Sequence, residues 1–347
     1  MPDIPNDQIP LFQLNLMIWL SFPIRAGKFT PIFRANGFEL YRIAPALSLS
    51  LNTIARANAA SPPMDMVQRP SPDLVLRNTY SQALLTIECK ASSFGPDTTQ
   101  ARQTLALLAC SGPHLSTLFA FAEPDDWTTT AVFAVTHPQQ GDMNSCLQTL
   151  ASRLETSQIA ACSSASVGIE LRANGVYLSV AEHAQMPFSM PDTIKVVELQ
   201  LDEDPRSLYV VPLDPSINAQ DAYGKRVVEE RVRTALVYEL NARLVEGEVA
   251  VSWDELMSAA IEVWPLWNDR NSTKFLRDEA RRYVERVLTD LASVTGVQGD
   301  SSQIGLTLKG ITIESASSIR RYLTSPRFRR VSVDLLQDSR QLGLEGV

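Results

Sequence analysis

Residues 72–94 read PDLVLRNTYSQALLTIECKASSF. Two short apolar runs flank the turn-forming stretch NTYSQ, the pattern of a β-hairpin. Leu84, Leu85 and Ile87 make the second run look buried on both faces. It nonetheless ends in Glu88-Cys89-Lys90, and Asp73 stands at the start of the first run. Charges placed there need a reason, because an unpaired charge is costly to bury.

Strand geometry relates these charges. Side chains alternate along a strand, so Glu88 and Lys90 share a face. Paired residues in an antiparallel hairpin have a constant number sum. If Asp73 lies near Glu88, the centre falls between Tyr80 and Ser81, inside the turn already identified. Two carboxylates and one ammonium then meet at one end of a sheet. Carboxylates that close repel, so one protonates unless a cation neutralises them. Their hard oxygens, with the Cys89 backbone carbonyl as a third, suit Mg²⁺ or Mn²⁺ rather than zinc. Lys90 beside such an ion is placed to hold a water whose pKa the ion lowers. That equipment suits phosphodiester hydrolysis.

The surroundings predict an α/β domain. The spacing in 37–59 is compatible with a helix broken by Pro45, and 61–72 is a Pro-rich connector. PDTTQARQTLALLAC predicts a helix capped at Asp97 or Thr98, with Gln100 and Gln103 on one face. STLFAFAE and TTTAVFAVTHP read as strands, 145–161 as a helix, and 166–183 as a hairpin turning at Asn174-Gly175. IKVVELQL and SLYVVPL read as further strands, and 10–24 as a core helix or strand.

Pro72-Asp73 opening one strand and Glu88-Cys89-Lys90 closing the next resemble the PD-(D/E)xK nuclease superfamily, over roughly residues 37–137. The resemblance implies a restriction-endonuclease-like mixed sheet flanked by helices. It implies a Mg²⁺-dependent (or Mn²⁺-dependent) endonuclease acting on DNA, in defence against phage, restriction or repair. It also implies Asp73, Glu88 and Lys90 as catalytic residues, Gln100 or Gln103 assisting from the following helix, and Glu39 as an additional metal ligand from a preceding helix. Ser92 and Ser93 read as a polar loop, Glu170 and Arg172 as an ExK mimic lacking its partner, and His114 and His137 as structural.

A chain of 347 residues is long for one domain, and two are expected, 1–217 and 218–347. After the first, the pattern turns to helices at 222–245, 252–264 (with Ser252 as N-cap) and 272–294, then a hairpin at 294–310. Helix, helix, hairpin is the order of a winged-helix module. Arg277, Arg281 and Arg282 share a face of its third helix. Arg320, Arg321, Arg327, Arg329 and Arg330 follow, interleaved with Tyr322 and Phe328 and no acid. Such clusters suit phosphate contact and base stacking, or a protein partner.

The net charge of -8 argues against a generally basic nucleic-acid binder. The deficit sits in residues 1–217, with 13 Lys/Arg against 20 Asp/Glu; residues 218–347 carry 18 against 19. Four cysteines without a CxxC pair and three scattered histidines give a zinc cage little to build on. The apolar N-terminal stretch follows Asp3 and Asp7 rather than basic residues, so a cytoplasmic protein without a membrane span is expected. The alternatives are a non-catalytic nuclease-fold subunit for DNA binding or assembly, and an RNA nuclease. A homodimer or a protein partner is compatible with each.

Overall fold

The computed structural model describes residues 10–22, 29–182 and 184–200, and farther along 232–236, 238–240, 242, 243, 246, 250–267, 284 and 305–307. The chain divides into two compact units, Met1–Leu201 with Asp269–Thr273, and Asp202–Asn268 with Lys274–Val347. The expected boundary at 217/218 lies outside the described residues.

The first unit is α/β, built on one seven-stranded mixed sheet whose spatial order follows the sequence. β1 (Glu39–Ile43), β2 (Leu74–Asn78) and β3 (Ala83–Cys89) form an antiparallel meander. β4 (Thr128–Thr136) and β5 (Ser163–Arg172) then add in parallel. β6 (Gly175–Val180) and β7 (Thr193–Glu198) return antiparallel. A parallel neighbour requires a long crossover. The chain supplies one through α4 (Thr99–Leu108) and α5 (Gly112–Leu118), and another through α6 (Gln140–Thr156).

Every residue of β3 is buried, which suits a central strand covered on both faces. On one face, Leu84 of β3 and Ala131, Phe133 and Val135 of β4 join a core with Leu105 and Leu108 of α4 and Leu147, Leu150 and Leu154 of α6. The α6 residues recur at helical spacing, so the helix lays one stripe on the sheet. Fully burying each leucine contributes roughly 1.5–3 kcal/mol. The first helix, α1 (Pro10–Ser21), packs against β1, β2 and β3 and is buried along nearly its whole length. Its polar residues Gln13, Asn15 and Ser21 are buried with the apolar ones, so no polar stripe marks a helix or strand period in the sequence.

Asn78 closes the β2–β3 turn. Its Oδ1 accepts hydrogen bonds from the Tyr80 and Ser81 N–H groups at 2.9 and 3.0 Å. Its Nδ2 donates to Asn36 O at 2.9 Å, tying the turn to the residues ahead of β1. Gly37 lies against this amide with φ +82°, and a Cβ there would fall 2.7 Å from Asn78 Nδ2.

Two expected elements are different. Residues 37–59 are not one helix: β1, preceded by the short α2 (Ile32–Ala35), is followed by α3 (Leu51–Ala59), and Gly37 and Ala44, both at positive φ, bracket the strand. STLFAFAE is not a strand. Pro113 opens α5, and Ala120 and Glu123 take left-handed backbone after it. Phe119 and Phe121 instead pack on Tyr41, with ring centroids 5.2 Å away in both cases.

In the second unit, residues 232–236, 238–240, 242 and 243 are helical. β8 (Ala250–Ser252) leads into a helix at Trp253–Ala260 and pairs antiparallel with β9 (Gly305–Thr307). Ser252, expected as an N-cap, is the last residue of β8 and stands immediately before that helix. Leu236, Leu240, Leu256, Met257, Ile261 and Trp264 are buried. SLYVVPL, most of 272–294 and all eight arginines of the two basic clusters lie outside the described residues.

Candidate active site

The β2–β3 register runs from Leu74 opposite Ile87 to Asn78 opposite Ala83. Each pair has the same number sum as Asp73 and Glu88, so these carboxylates occupy the next rung. The Cys89 N–H donates to Asp73 Oδ2 at 2.7 Å, and Ala44 N–H donates to the Asp73 carbonyl at 2.8 Å. The acid at the mouth of the hairpin is thus fixed from both neighbouring strands.

Glu88 is 4% exposed. Its Oε1 receives Lys90 Nζ at 2.6 Å and Gln103 Nε2 at 2.9 Å. The same Gln103 amide donates to Ser71 O at 3.0 Å, so α4 bridges β3 and the segment that leads into β2. Glu88 Oε2 is buried and has no hydrogen-bond partner. The Lys90 N–H donates to Ala134 O at 2.8 Å, continuing the parallel ladder one step past β3.

The electrostatics follow from burial and crowding. Burial first, and the Asp73 charge second, push the Glu88 carboxyl up to about 8, against the pull of Lys90 and Gln103. Burial also pushes Asp73 up, with the Cys89 N–H and Lys90 opposing. For Lys90, burial disfavours the ammonium, but Glu88 and Asp73 outweigh it and its pKa lies above the usual lysine value. Two carboxyls share one ammonium, so the site is short of positive charge. Burial raises the Cys89 thiol well above its usual range, leaving it a neutral side chain.

Asp73, Glu88, Lys90 and Gln103 therefore converge. Gln100 does not: it is exposed in the first turn of α4 and only its carbonyl is engaged, by Thr104 Oγ1 at 3.3 Å. Glu39 does not either. It stands on β1 opposite Arg77, about 13 Å along the strand from Asp73 at strand rise. There it pairs with Arg77 at 2.6 Å and Arg34 at 3.3 Å, and chiefly the Arg77 hydrogen bond holds its carboxyl below the usual range. Its expected metal role rested on a helix that is absent from that segment.

Glu170 and Arg172 form a 2.6 Å pair on β5, and His114 Nε2 meets Ser48 O at 2.5 Å. Ser93 is turned toward Gln139 rather than toward the carboxylates. Sequence reasoning passed over Ser71, Gln139 and Gln140, and no local pattern marks them. A groove of about 910 Å³ lies elsewhere, with Arg102 and Arg153 on its walls. Both arginines are held at 2.8 Å by carboxylates, Asp65 and Asp97 respectively.

Among the described residues no group of three or more His, Cys, Asp or Glu side chains is gathered as for a metal cage. The pair Asp73 and Glu88 nevertheless fits a hard divalent ion on three counts: oxygen donors, excess negative charge, and a buried carboxylate oxygen without a partner. No helix among the described residues is long and apolar enough to cross a membrane. No protein-family model, curated protein or solved structure matches the chain.

Proposed function

We propose that this chain is a metal-dependent nuclease of the PD-(D/E)xK type that hydrolyses DNA phosphodiester bonds. The observation that carries the reading is the convergence of Asp73, Glu88, Lys90 and Gln103 on one rung of a buried hairpin. The element order supports it: an antiparallel meander carrying both acids, then a helix, then a strand parallel to the one bearing Glu88 and Lys90. The resemblance implies an acid-bearing hairpin followed by a helix, within a mixed sheet.

Asp73 and Glu88 would hold Mg²⁺ or Mn²⁺, with the Cys89 carbonyl as a further oxygen. When bound, the ion supplies charge neutralisation at the phosphate and a more acidic water. The protein's own contribution is positional. The Cys89 N–H holds the Asp73 carboxylate in place, and Gln103 holds Glu88. Lys90 keeps a positive charge where negative charge grows on the phosphate oxygens. Its side chain is 28% exposed, so the lysine that pairs with the buried acid is itself open to solvent.

In the second unit, β8 precedes a helix and pairs with β9, whose residues 305–307 fall within the segment expected as a hairpin at 294–310. We assign that unit to DNA or partner contact through its arginine clusters. A second reading, a nuclease fold kept for binding or assembly, is favoured by the acidic balance of residues 1–217.

The test is cleavage of supercoiled plasmid, single-stranded DNA and RNA in Mg²⁺ or Mn²⁺, with Lys90→Ala beside the wild type. Cleavage lost in the variant supports the nuclease, and the substrate cut separates DNA from RNA. Equal behaviour of the two proteins removes the catalytic reading.

A further inference from the structure

The loop that leaves β3 after Lys90 is held by one side chain from a distant part of the sequence. Ser93 donates twice to Gln139 Oε1, from its N–H at 3.3 Å and from its hydroxyl at 2.6 Å. Gln139 ends the short 3-10 turn His137–Gln139 between β4 and α6. Lys90 is therefore bracketed. Its own N–H is tied to Ala134 of β4, and three residues later the chain is tied to the end of that same strand's connection.

The 137–140 turn is itself braced. Gln140, 6% exposed, donates from Nε2 to Ser166 O at 3.1 Å and to Ser179 O at 2.9 Å. Its Oε1 accepts from Ser179 Oγ at 2.9 Å, and its carbonyl accepts from Ser166 Oγ at 3.1 Å. His137 Nδ1 shares a 2.8 Å hydrogen bond with Ser179 Oγ. Space for this cluster depends on Gly168, where a Cβ would fall 2.7 Å from Ser179 Oγ and 2.8 Å from Gln140 Oε1. A fully satisfied buried network of this kind is rigid and costly to rearrange.

We infer that Gln139 is a positioning residue for Lys90, with the Gln140 network as its support. The inference rests on the nuclease reading for its catalytic consequence, but its structural core does not. Gln103 fixes the acid and Gln139 fixes the loop behind the ammonium, so the two partners of the 2.6 Å ion pair are supported from α4 and from the turn between β4 and α6. Losing such outer support typically costs ten- to a hundredfold in activity.

The experiment pairs two readouts on the full chain in Gln139→Ala, Ser93→Ala, Ser93→Thr and the Gln139→Ala/Ser93→Ala double variant. Amide hydrogen exchange should accelerate over residues 90–96 in Gln139→Ala while residues 83–88 keep wild-type protection. Plasmid cleavage should lose roughly tenfold in kcat at unchanged KM. The double variant should lose no more than Gln139→Ala, and Ser93→Thr should retain wild-type values. Unchanged exchange over 90–96 in Gln139→Ala overturns the inference whether or not the protein cuts. So does faster exchange with wild-type kcat. A wild type that cuts nothing counts against the nuclease reading, and the exchange result then decides whether Gln139 anchors the Lys90 loop.

Discussion

Asp73 Oδ2 accepts the Cys89 N–H at 2.7 Å, so the backbone of the strand carrying Glu88 grips the carboxylate of the strand beside it. This bond sets the spacing of the two acids. It also makes their mutual repulsion a property of the folded state, since the unfolded chain has no reason to hold them together.

The pH dependence of stability follows. Glu88 rises from about 4.5 to about 8 on folding, and Asp73 shifts in the same direction. A carboxyl raised by folding favours the native state while protonated. That contribution is complete below about 4.5 and is lost as pH rises through about 8. Without divalent ions, wild-type Tm should therefore fall between about pH 5 and pH 8 relative to Glu88→Gln. Thermal melts across that range check this, and parallel curves for the two proteins would contradict it.

Gln103 and Gln100 should separate sharply. Gln103→Ala leaves Glu88 Oε1 and Ser71 O without the amide that bridges them, and should cost about 1–3 kcal/mol. Gln100→Ala removes an exposed side chain and should stay within about 0.5 kcal/mol of wild type. Urea unfolding of the two variants measures the difference.

Glu39→Ala should leave divalent-ion affinity unchanged. Its carboxylate is committed to Arg77 and Arg34 far from Asp73, and a partly exposed pair of this kind is worth about 1 kcal/mol or less. A large loss of Mn²⁺ affinity in this variant would return Glu39 to the site.

The hairpin turn should be sensitive to two substitutions. Asn78→Ala removes both turn-closing acceptor contacts and the tie to Asn36, costing about 1–3 kcal/mol. Gly37→Ala adds a Cβ at φ +82° against the Asn78 amide and should also destabilise. Urea midpoints report both.

The hairpin and its rung were legible in the sequence because period-two alternation and a constant pairing sum are local rules. Gln103 was legible only as one of two, since helical spacing places Gln100 and Gln103 on similar faces and packing on the sheet decides between them. Glu39 was misread because apolar spacing around ELYRI fits helix and strand alike, while the positive φ of Ala44 just after the strand leaves no trace in residue type. Phe119 and Phe121 imitate strand alternation, but they follow a proline-opened helix and belong to an aromatic cluster. Gln139 and Gln140 had no signal at all, because their partners are 26 to 46 residues away in sequence.

The central claim is that Asp73 and Glu88 form a divalent-ion site, and calorimetric titration with Mn²⁺ tests it most directly. Wild type should bind at one site, and Asp73→Asn, which keeps an acceptor for the Cys89 N–H but removes the charge, should bind at least about tenfold more weakly. No binding by wild type, or equal binding by Asp73→Asn, would contradict the account.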